Sequence, residues 1–348
     1  MLEAIPRQPR FKAALERFGE GPVLLLGHHD ADGLASLALL ARAFAMLDRP
    51  VRIRIVGRGE NPWSPAMAEE LRGMEMGGII AADLGVRSGA IRAGTPTVLI
   101  DHHVPASAAP DAVVISGYGR SPVPTSSLLA YWCAAELAPV DELLWIAALG
   151  IVGDMADGAG FPEMALARKR YGMKVLRDAT ALINAARRAS SADARPALAL
   201  LMKAESPRDI VSGCFPETQA LLAARDEVRR DLDKARRTAP IVRNGVALLR
   251  IHSPCQIHPL LAQTWRTRLS NAVVLAANTG YRPGWVHFAA RSARDIDLVD
   301  FLSRHAPVGA DENYGGGHER ASGGALRIPQ WNAFIAGFGF GPEAQVQA

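Results

Sequence analysis

Cysteine, lysine, aromatic residues and long apolar runs are all scarce in this 348-residue sequence, and each scarcity excludes something. Cys133, Cys214 and Cys255 stand far apart with no Cys-x-x-Cys pair. That argues against a disulfide framework or a thiolate zinc site, and for a reducing compartment such as the cytoplasm. Aromatics make up 6% of the chain, while alanine and leucine carry much of its 49% apolar content. This balance favours helix-rich layers over an all-β sandwich. The longest apolar runs are Leu143–Gly153 and a stretch over 34–47 that Arg42 interrupts. Both fall short of the ~20 residues that a membrane-spanning helix needs. Met1–Arg10, with Glu3, Pro6 and Pro9, lacks the basic-then-apolar pattern of an export signal. Lysine occurs at five positions, so arginine supplies most of the 39 basic side chains; the net charge is +4. Such a charge is compatible with a polyanionic partner but too mild to require one.

What is present is an alternation. Apolar runs at Val23–Leu26, Val51–Val56, Gly78–Ala82 and Pro96–Ile100 read as buried strands. Helical patterns at Leu34–Leu47, Pro65–Met74, Ser126–Leu137 and Glu142–Val152 separate or follow them. Alternating strands and helices predict βαβ units in a doubly wound parallel sheet, here a catalytic domain over residues 1–160. Residues 161–240 read as a charged helical connector, with Asp226/Arg230 and Asp233/Arg237 spaced for i,i+4 pairing. Its basic stretch Arg168-Lys169-Arg170, Lys174 and Arg177 reads as a solvated face rather than a phosphate track. A second alternation (Val246–Ile251, Pro259–Arg268, Ala272–Ala277, Val286–Ala290, Leu298–Arg304, Ala325–Ile328) predicts a smaller α/β domain over 241–340. The residues from Gly341 onward read as a frayed tail.

The chemistry sits where strands end. The first strand runs into Gly27-His28-His29-Asp30-Ala31-Asp32-Gly33, and open α/β sheets take ligands beyond their strands' carboxyl ends. In an extended segment His28, Asp30 and Asp32 face one side. The bland alternative is an Asp-rich turn in which Asp32 caps the next helix. The third strand ends at Asp83 and the fourth at Asp101-His102-His103, while the apolar helix over 143–152 ends at Gly153-Asp154. Adjacent histidines diverge from an extended chain, so one can bind metal while the other faces a substrate. Oxygen and imidazole donors without thiolate suit Mn²⁺ or Mg²⁺, with Zn²⁺ or Co²⁺ as further possibilities. Six ligands exceed the needs of one catalytic ion and suffice for two ions about 3.5–4 Å apart that share a carboxylate. Such a pair points to phosphoester hydrolysis.

Four segments, HHDADG at 28–33, AADLG at 81–85, DHHVP at 101–105 and GIVGDM at 150–155, resemble in order and spacing the motifs of the DHH phosphoesterases. The His-x-Asp-x-Asp spacing is similar to the RecJ-like branch. Type II pyrophosphatases and nano-RNases instead have His-x-x-x-Asp-x-Asp. The resemblance implies that His28, Asp30 and Asp83 hold one ion. It implies that Asp32, Asp83, His102 and Asp154 hold the other, with Asp83 bridging. Asp101 would then orient a ligand, and His103 would polarise a substrate phosphate oxygen.

In the C-terminal half, Tyr314-Gly315-Gly316-Gly317-His318 is a glycine-rich loop whose backbone N–H groups can approach a phosphate. Together with Arg291 it resembles the DHH-associated C-terminal domain, in which the matching arginine and histidine grip the substrate backbone. The family's four-glycine run is three here, with Tyr314 in the first place, where it either stacks on a base or packs as a loop aromatic.

The resemblance implies a cytoplasmic, Mn²⁺-dependent phosphodiesterase that trims single-stranded DNA or short oligonucleotides to mononucleotides, with no membrane partner. A small-nucleotide phosphatase, or a cyclic-dinucleotide or nano-RNA phosphodiesterase, is the alternative. Full-length RecJ exonucleases carry an added OB-fold domain that holds long strands. The present length leaves no room for one, so short substrates and weak processivity are expected.

Overall fold

The apolar runs that end in histidine or aspartate form one parallel sheet. The computed structural model describes residues 5–311 and 314–347, so Met1–Ala4 of the N-terminal segment and the last tail residue, Ala348, lie outside it. Two units emerge, Met1–Arg187 with Ser191–Ala223, and Arg188–Ser190 with Ala224–Ala348.

The first unit begins with α1 (Pro9–Leu15), β1 (Val23–His28), α2 (Ala31–Ala45), β2 (Val51–Val56), α3 (Pro65–Leu71), β3 (Gly78–Ala82) and β4 (Thr97–Asp101). It continues through β5 (Ala112–Ser116), α4 (Ser126–Ala135) and α5 (Leu144–Gly153). The strands lie in the order β2-β1-β3-β4-β5, all parallel. Strand alternation explains how the runs of β1, β3 and β4 are buried on both faces, while the edge strand β2 exposes Arg52. Val23, Leu25, Ile80, Ala82, Val98 and Ile100 pack into the core that holds α2, α4 and α5. Leu24, Leu26, Ile79, Ala81 and Leu99 pack the other way, against Met67 and Leu71 of α3. β2 lies on one side of β1 and β3 on the other, so strand order reverses at β1/β3. Crevices of open α/β sheets form at such a point.

Residues 161–240 do not form a separate connector. The segment contains α6 (Pro162–Tyr171), α7 (Met173–Arg188), α8 (Arg195–Lys203), α9 (Pro207–Ser212) and α10 (Pro216–Ala235). Met164, Leu176, Ile183, Leu200 and Leu221 join the core of the first unit, whereas Val228 and Ala235 of α10 join that of the second. Apolar stripes bury against whichever sheet they meet, and the division falls within α10. Asp233 pairs with Arg236 (2.9 Å) and Arg229 (3.9 Å) rather than with Arg237. In the basic stretch Lys174 pairs with Asp178 and Arg177 with Asp157, as a solvated face would.

The second unit adds β6 (Ile241–Arg243), β7 (Val246–Ile251), α11 (His258–Arg266), β8 (Val273–Asn278) and β9 (Trp285–Ser292). α12 (Leu298–Arg304), β10 (Tyr314–His318), β11 (Ala321–Arg327) and α13 (Ile328–Ala336) complete it. Its mixed sheet runs β10-β11-β9-β8-β7-β6, with β7 and β8 parallel. One face packs on Leu298, Leu302, Trp331 and Phe334, the other on α10 and α11. The glycine run is an edge strand rather than a loop, paired antiparallel with β11. The C-terminal tail is docked, not frayed: Asn332 exchanges two hydrogen bonds, both 2.9 Å, with the backbone of Val346.

Candidate metal centre

β1, β3 and β4 are neighbours in the sheet, and their carboxyl ends deliver His28, Asp83 and Asp101-His102 to one rim. At the end of β1 the chain turns straight into α2. Asp30, not Asp32, is the cap, accepting the Gly33 N–H at 3.1 Å. Asp32 instead lies in the first helical turn, fully buried. A strand-to-helix turn, not an extended segment, therefore presents these side chains, and it aims them at two different places.

His28 Nδ1 lies 3.1 Å from Asp30 Oδ2 and 3.6 Å from Asp83 Oδ2. His102 Nε2 lies 3.0 Å from Asp154 Oδ2, 3.6 Å from Asp83 Oδ1 and 3.9 Å from Asp32 Oδ2. The two oxygens of Asp83 thus face the two groups. Within each of the trios His28/Asp30/Asp83 and Asp32/His102/Asp154, ligand atoms lie within 4.8 Å of one another. Asp83 holds a left-handed backbone, with φ of 61°. That conformation is unusual for a side-chain-bearing residue, and its strain is typical of functional positions.

The paired histidines differ in exposure, although their rings lie 4.5 Å apart. The side chain of His102 is 5% exposed and meets the carboxylates; that of His103 is 35% exposed, with Nδ1 3.2 Å from Asp101 Oδ1. Asp101 is occupied by orientation. Its Oδ2 accepts the Gly85 N–H (2.7 Å) and its Oδ1 the His103 N–H (2.8 Å). His29 sets its ring nearly perpendicular to that of His28 and is buried outside both trios.

Several supporting residues escaped the sequence reading. The backbone N–H groups of Ser126 and Ser127 donate to Asp32 Oδ2 (2.8 Å) and Oδ1 (3.0 Å). Ser126 Oγ donates to Asp83 Oδ1 (3.0 Å). The amino end of α4 thereby grips one carboxylate, as helix dipoles favour, and steers another. Gly150 makes this possible from the other side. A Cβ there would stand 2.1 Å from Ser127 Oγ and 2.5 Å from Asp32 Oδ1. From α7, Asn184 Oδ1 accepts the Ala31 N–H (3.1 Å) and the Arg187 Nε–H (3.2 Å), while Arg187 Nη2 lies 3.8 Å from Asp30. The signal for α7 was a polar residue within a buried apolar stripe. For α4 it was the pair of serines after Thr125, which caps the helix.

Electrostatics tests whether the donors fit a cation. Burial pulls His28 down, yet Asp30 and Asp83 more than reverse it, and the imidazole stands at about 10. His102 likewise overcomes burial through Asp154 and Asp83 and reaches about 12. Burial also opposes His103, which Asp101 lifts to about 9. Burial and then the Asp154 and Asp83 charges hold Asp32 well above the usual carboxylate range; burial raises Asp154 too. Asp30 goes the other way, held low against burial by His28 and Arg187. Crowded buried acids that keep neighbouring imidazoles protonated form a site short of positive charge. The donor set fits divalent cations.

In the second unit, Arg291 Nη1 donates to the carbonyls of Ala290 (2.8 Å) and Ser322 (3.2 Å). Ser322 Oγ donates to Gly316 O at 2.9 Å. Arg291 and the glycine run Gly315-Gly316-Gly317 are thus brought together around β11. Gly317 has φ of 126°, and a Cβ there would stand 2.4 Å from Ala321 O. His318 ends the edge strand, exposed. Burial, then Arg266, lowers the Arg291 guanidinium to about 10. Tyr314 packs inward, its hydroxyl donating to Leu302 O (2.9 Å) and its ring against Phe288 and Phe334. It is a core aromatic, not a base-stacking platform.

Known structures share this architecture. The exonuclease RecJ bound to manganese matches with a TM-score of 0.64 and 20% identity, over 97% of this chain and 94% of that one. RecJ of Thermus thermophilus in complex with Mn²⁺ matches at 0.66 and 19%, over 97% of this chain. A DHH domain of the S1p family of ribosomal proteins matches at 0.63 and 17%, over 94% and 90%. The fold is that of the DHH phosphoesterases. At such identities the likeness to these DHH proteins is one of fold, and this chain spans 55% of the Thermus RecJ chain. No protein-family model and no curated protein matches the sequence. No helix among the described residues is long and apolar enough to cross a membrane.

Proposed function

We propose that the chain is a metal-dependent phosphodiesterase that trims single-stranded nucleic acid or short oligonucleotides to mononucleotides. The observation that carries this reading is the position of Asp83, grouped with His28 and Asp30 through Oδ2 while its Oδ1 lies 3.6 Å from His102 of the other trio. His28, Asp30 and Asp83 would hold one divalent ion; Asp32, Asp83, His102 and Asp154 would hold a second, with Mn²⁺ the expected occupant and Mg²⁺ or Co²⁺ able to replace it. Two such ions supply Lewis acidity and make an attacking water more acidic.

The chain's own residues do the rest. Asp101 fixes the His103 ring through Nδ1, so the Nε2 end meets a non-bridging phosphate oxygen. Arg291, with the Gly315-Gly316-Gly317 backbone and His318, holds a phosphate of the strand, since a guanidinium bonded only to carbonyls among the described residues seeks an oxyanion. One water adds across the P–O bond, releasing a nucleoside monophosphate and a shortened strand.

The test is digestion of end-labelled DNA and RNA oligomers with Mn²⁺ supplied, alongside a cyclic dinucleotide and a nucleoside bisphosphate. A ladder running down to mononucleotides is expected, abolished by EDTA. Turnover confined to the cyclic dinucleotide or the bisphosphate moves the reading to a small-nucleotide enzyme; no turnover of any substrate sinks it.

A further inference from the structure

The second unit holds a polar groove that the proposed chemistry leaves unused. β7 and β8 are parallel, with Ile251 opposite Asn278 at their carboxyl ends. Open α/β sheets bind ligands at such an edge. Beyond these ends the chain places His252-Ser253 and Thr279-Gly280. Asn278, fully buried, ties the two loops together. Its Oδ1 accepts the N–H groups of Ser253 (2.9 Å) and Gly280 (3.1 Å), and its Nδ2 donates to Cys255 O (3.0 Å). Thr279 Oγ1 lies 3.0 Å from His252 Nδ1, fixing the ring at the mouth. The edge is therefore rigid before any ligand arrives, which lowers the ordering cost of binding.

Two adjoining cavities, of about 420 and 370 Å³, open here and share Thr238, Arg250, Ile251 and His252. Both are of the size that small ligands occupy. Lys234, Arg250 and His252 line them. Asp231 is the acid among the lining residues; its Oδ2 accepts the Ser253 hydroxyl, and its Oδ1 lies 3.9 Å from Lys234. Arg250 donates to a carbonyl, Gln345 O at 3.0 Å, so its charge is not cancelled there. The groove thus joins hydrogen-bond donors and positive charge to the apolar wall of Ile251 and Ile257.

We propose that this edge binds a phosphate group, free or carried on a nucleoside, between Arg250 and the His252–Thr279 pair. Planar guanidinium forks suit phosphate oxygens, and charge-assisted bonds are the strong ones. The site is distinct from the Arg291 region. β9 runs antiparallel to β8 with His287 opposite Asn278 and Arg291 opposite Val274. Four residues of strand, about 13 Å, separate the two.

The inference does not depend on the chain being a nuclease, and its test avoids turnover. The full-length protein carrying Arg291→Ala, in EDTA, is titrated with inorganic phosphate and with AMP and followed by ³¹P NMR. Binding is expected to persist, to weaken about fivefold or more on adding Arg250→Ala or His252→Ala, and to weaken less with Arg250→Lys, which keeps the charge but not the fork. Tighter binding of AMP than of phosphate identifies a nucleotide as the source; equal binding identifies free phosphate, and both support the site. No binding by the Arg291→Ala protein, or binding indifferent to both alanine changes, overturns it.

Discussion

In the first unit the polar groups gathered at the sheet's rim are side chains, several of them charged and buried together. Around β11 in the second they are the Arg291 guanidinium and a row of backbone amides on an edge strand. The contrast shows in how each handles an unusual backbone. At φ of 61°, Asp83 keeps a carboxylate where a left-handed conformation costs roughly 1–2 kcal/mol. At φ of 126°, Gly317 occupies a position where a Cβ would strike the facing strand, so the chain gives up a side chain altogether. A rim of acids needs a partner of opposite charge to be stable. A glycine strand needs only room for a ligand to approach.

Breaking the candidate bridging carboxylate, Asp83, should have the largest effect. Asparagine tolerates the left-handed region best among side chains of that shape, so Asp83→Asn removes charge while sparing the backbone. Turnover on a short oligonucleotide is expected to fall by roughly a thousandfold or more, with the thermal midpoint of the metal-free protein unchanged or raised. Retained activity would break the assignment of Asp83 to both ions.

The protons come next. Without metal, His28 at about 10 and His102 at about 12 are cationic at neutral pH. A ligating imidazole must be neutral, so each ion has to displace at least one proton. Mn²⁺ affinity should therefore rise about tenfold per pH unit between pH 6 and 8, with proton release measurable in weakly buffered solution. The sign for stability is opposite. A histidine raised to about 9, as His103 is, stabilises the metal-free fold fully below its unfolded value near 6.5, and that contribution fades as pH climbs through 9. Added Mn²⁺ should thus matter most to the thermal midpoint at alkaline pH. A flat affinity profile would mean that the imidazoles are not ligands.

The second unit should answer differently. Arg291→Ala removes the proposed phosphate contact and no candidate metal ligand, so KM for an oligonucleotide is expected to rise about tenfold while Mn²⁺ affinity holds. Equal losses in kcat and metal binding would erase the distinction between the two units.

What the sequence made legible follows the same division. The apolar runs of β1, β3 and β4 became inner strands because burial on both faces leaves little choice, and a residue of the rim stands within two positions of each run's end. β5 and β6 are half-exposed edge strands; β6 is too short to carry a signal, whereas Ala112–Ile115 of β5 is a continuous apolar run that went unrecognised. β10 escaped because glycine reads as loop, whereas the ladder with β11 needs backbone alone. The candidate ligands His28, Asp30, Asp32, Asp83, His102 and Asp154 stood out as ionisable groups at or just beyond the ends of apolar elements. Ser126, Ser127, Asn184 and Arg187 did not, because each acts through a neighbour 43 to 157 positions away, and no local pattern encodes such a distance.

Ser126 offers the finest probe, since it touches the candidate bridging group without belonging to either trio. Its hydroxyl donates to Asp83 Oδ1 while its backbone N–H holds Asp32 Oδ2. Ser126→Ala removes the first bond and keeps the second, so α4 and Asp32 should remain in place. A hydrogen bond to a charged acceptor is worth about 1.5–3 kcal/mol, but a cation beside Asp83 would screen much of it. The expected loss is therefore a few-fold in Mn²⁺ affinity with kcat at saturating metal nearly intact, and Ser126→Thr should restore it. A fall in kcat that excess Mn²⁺ cannot recover would instead place the hydroxyl against the substrate, drawing α4 from the support of the rim into its working surface.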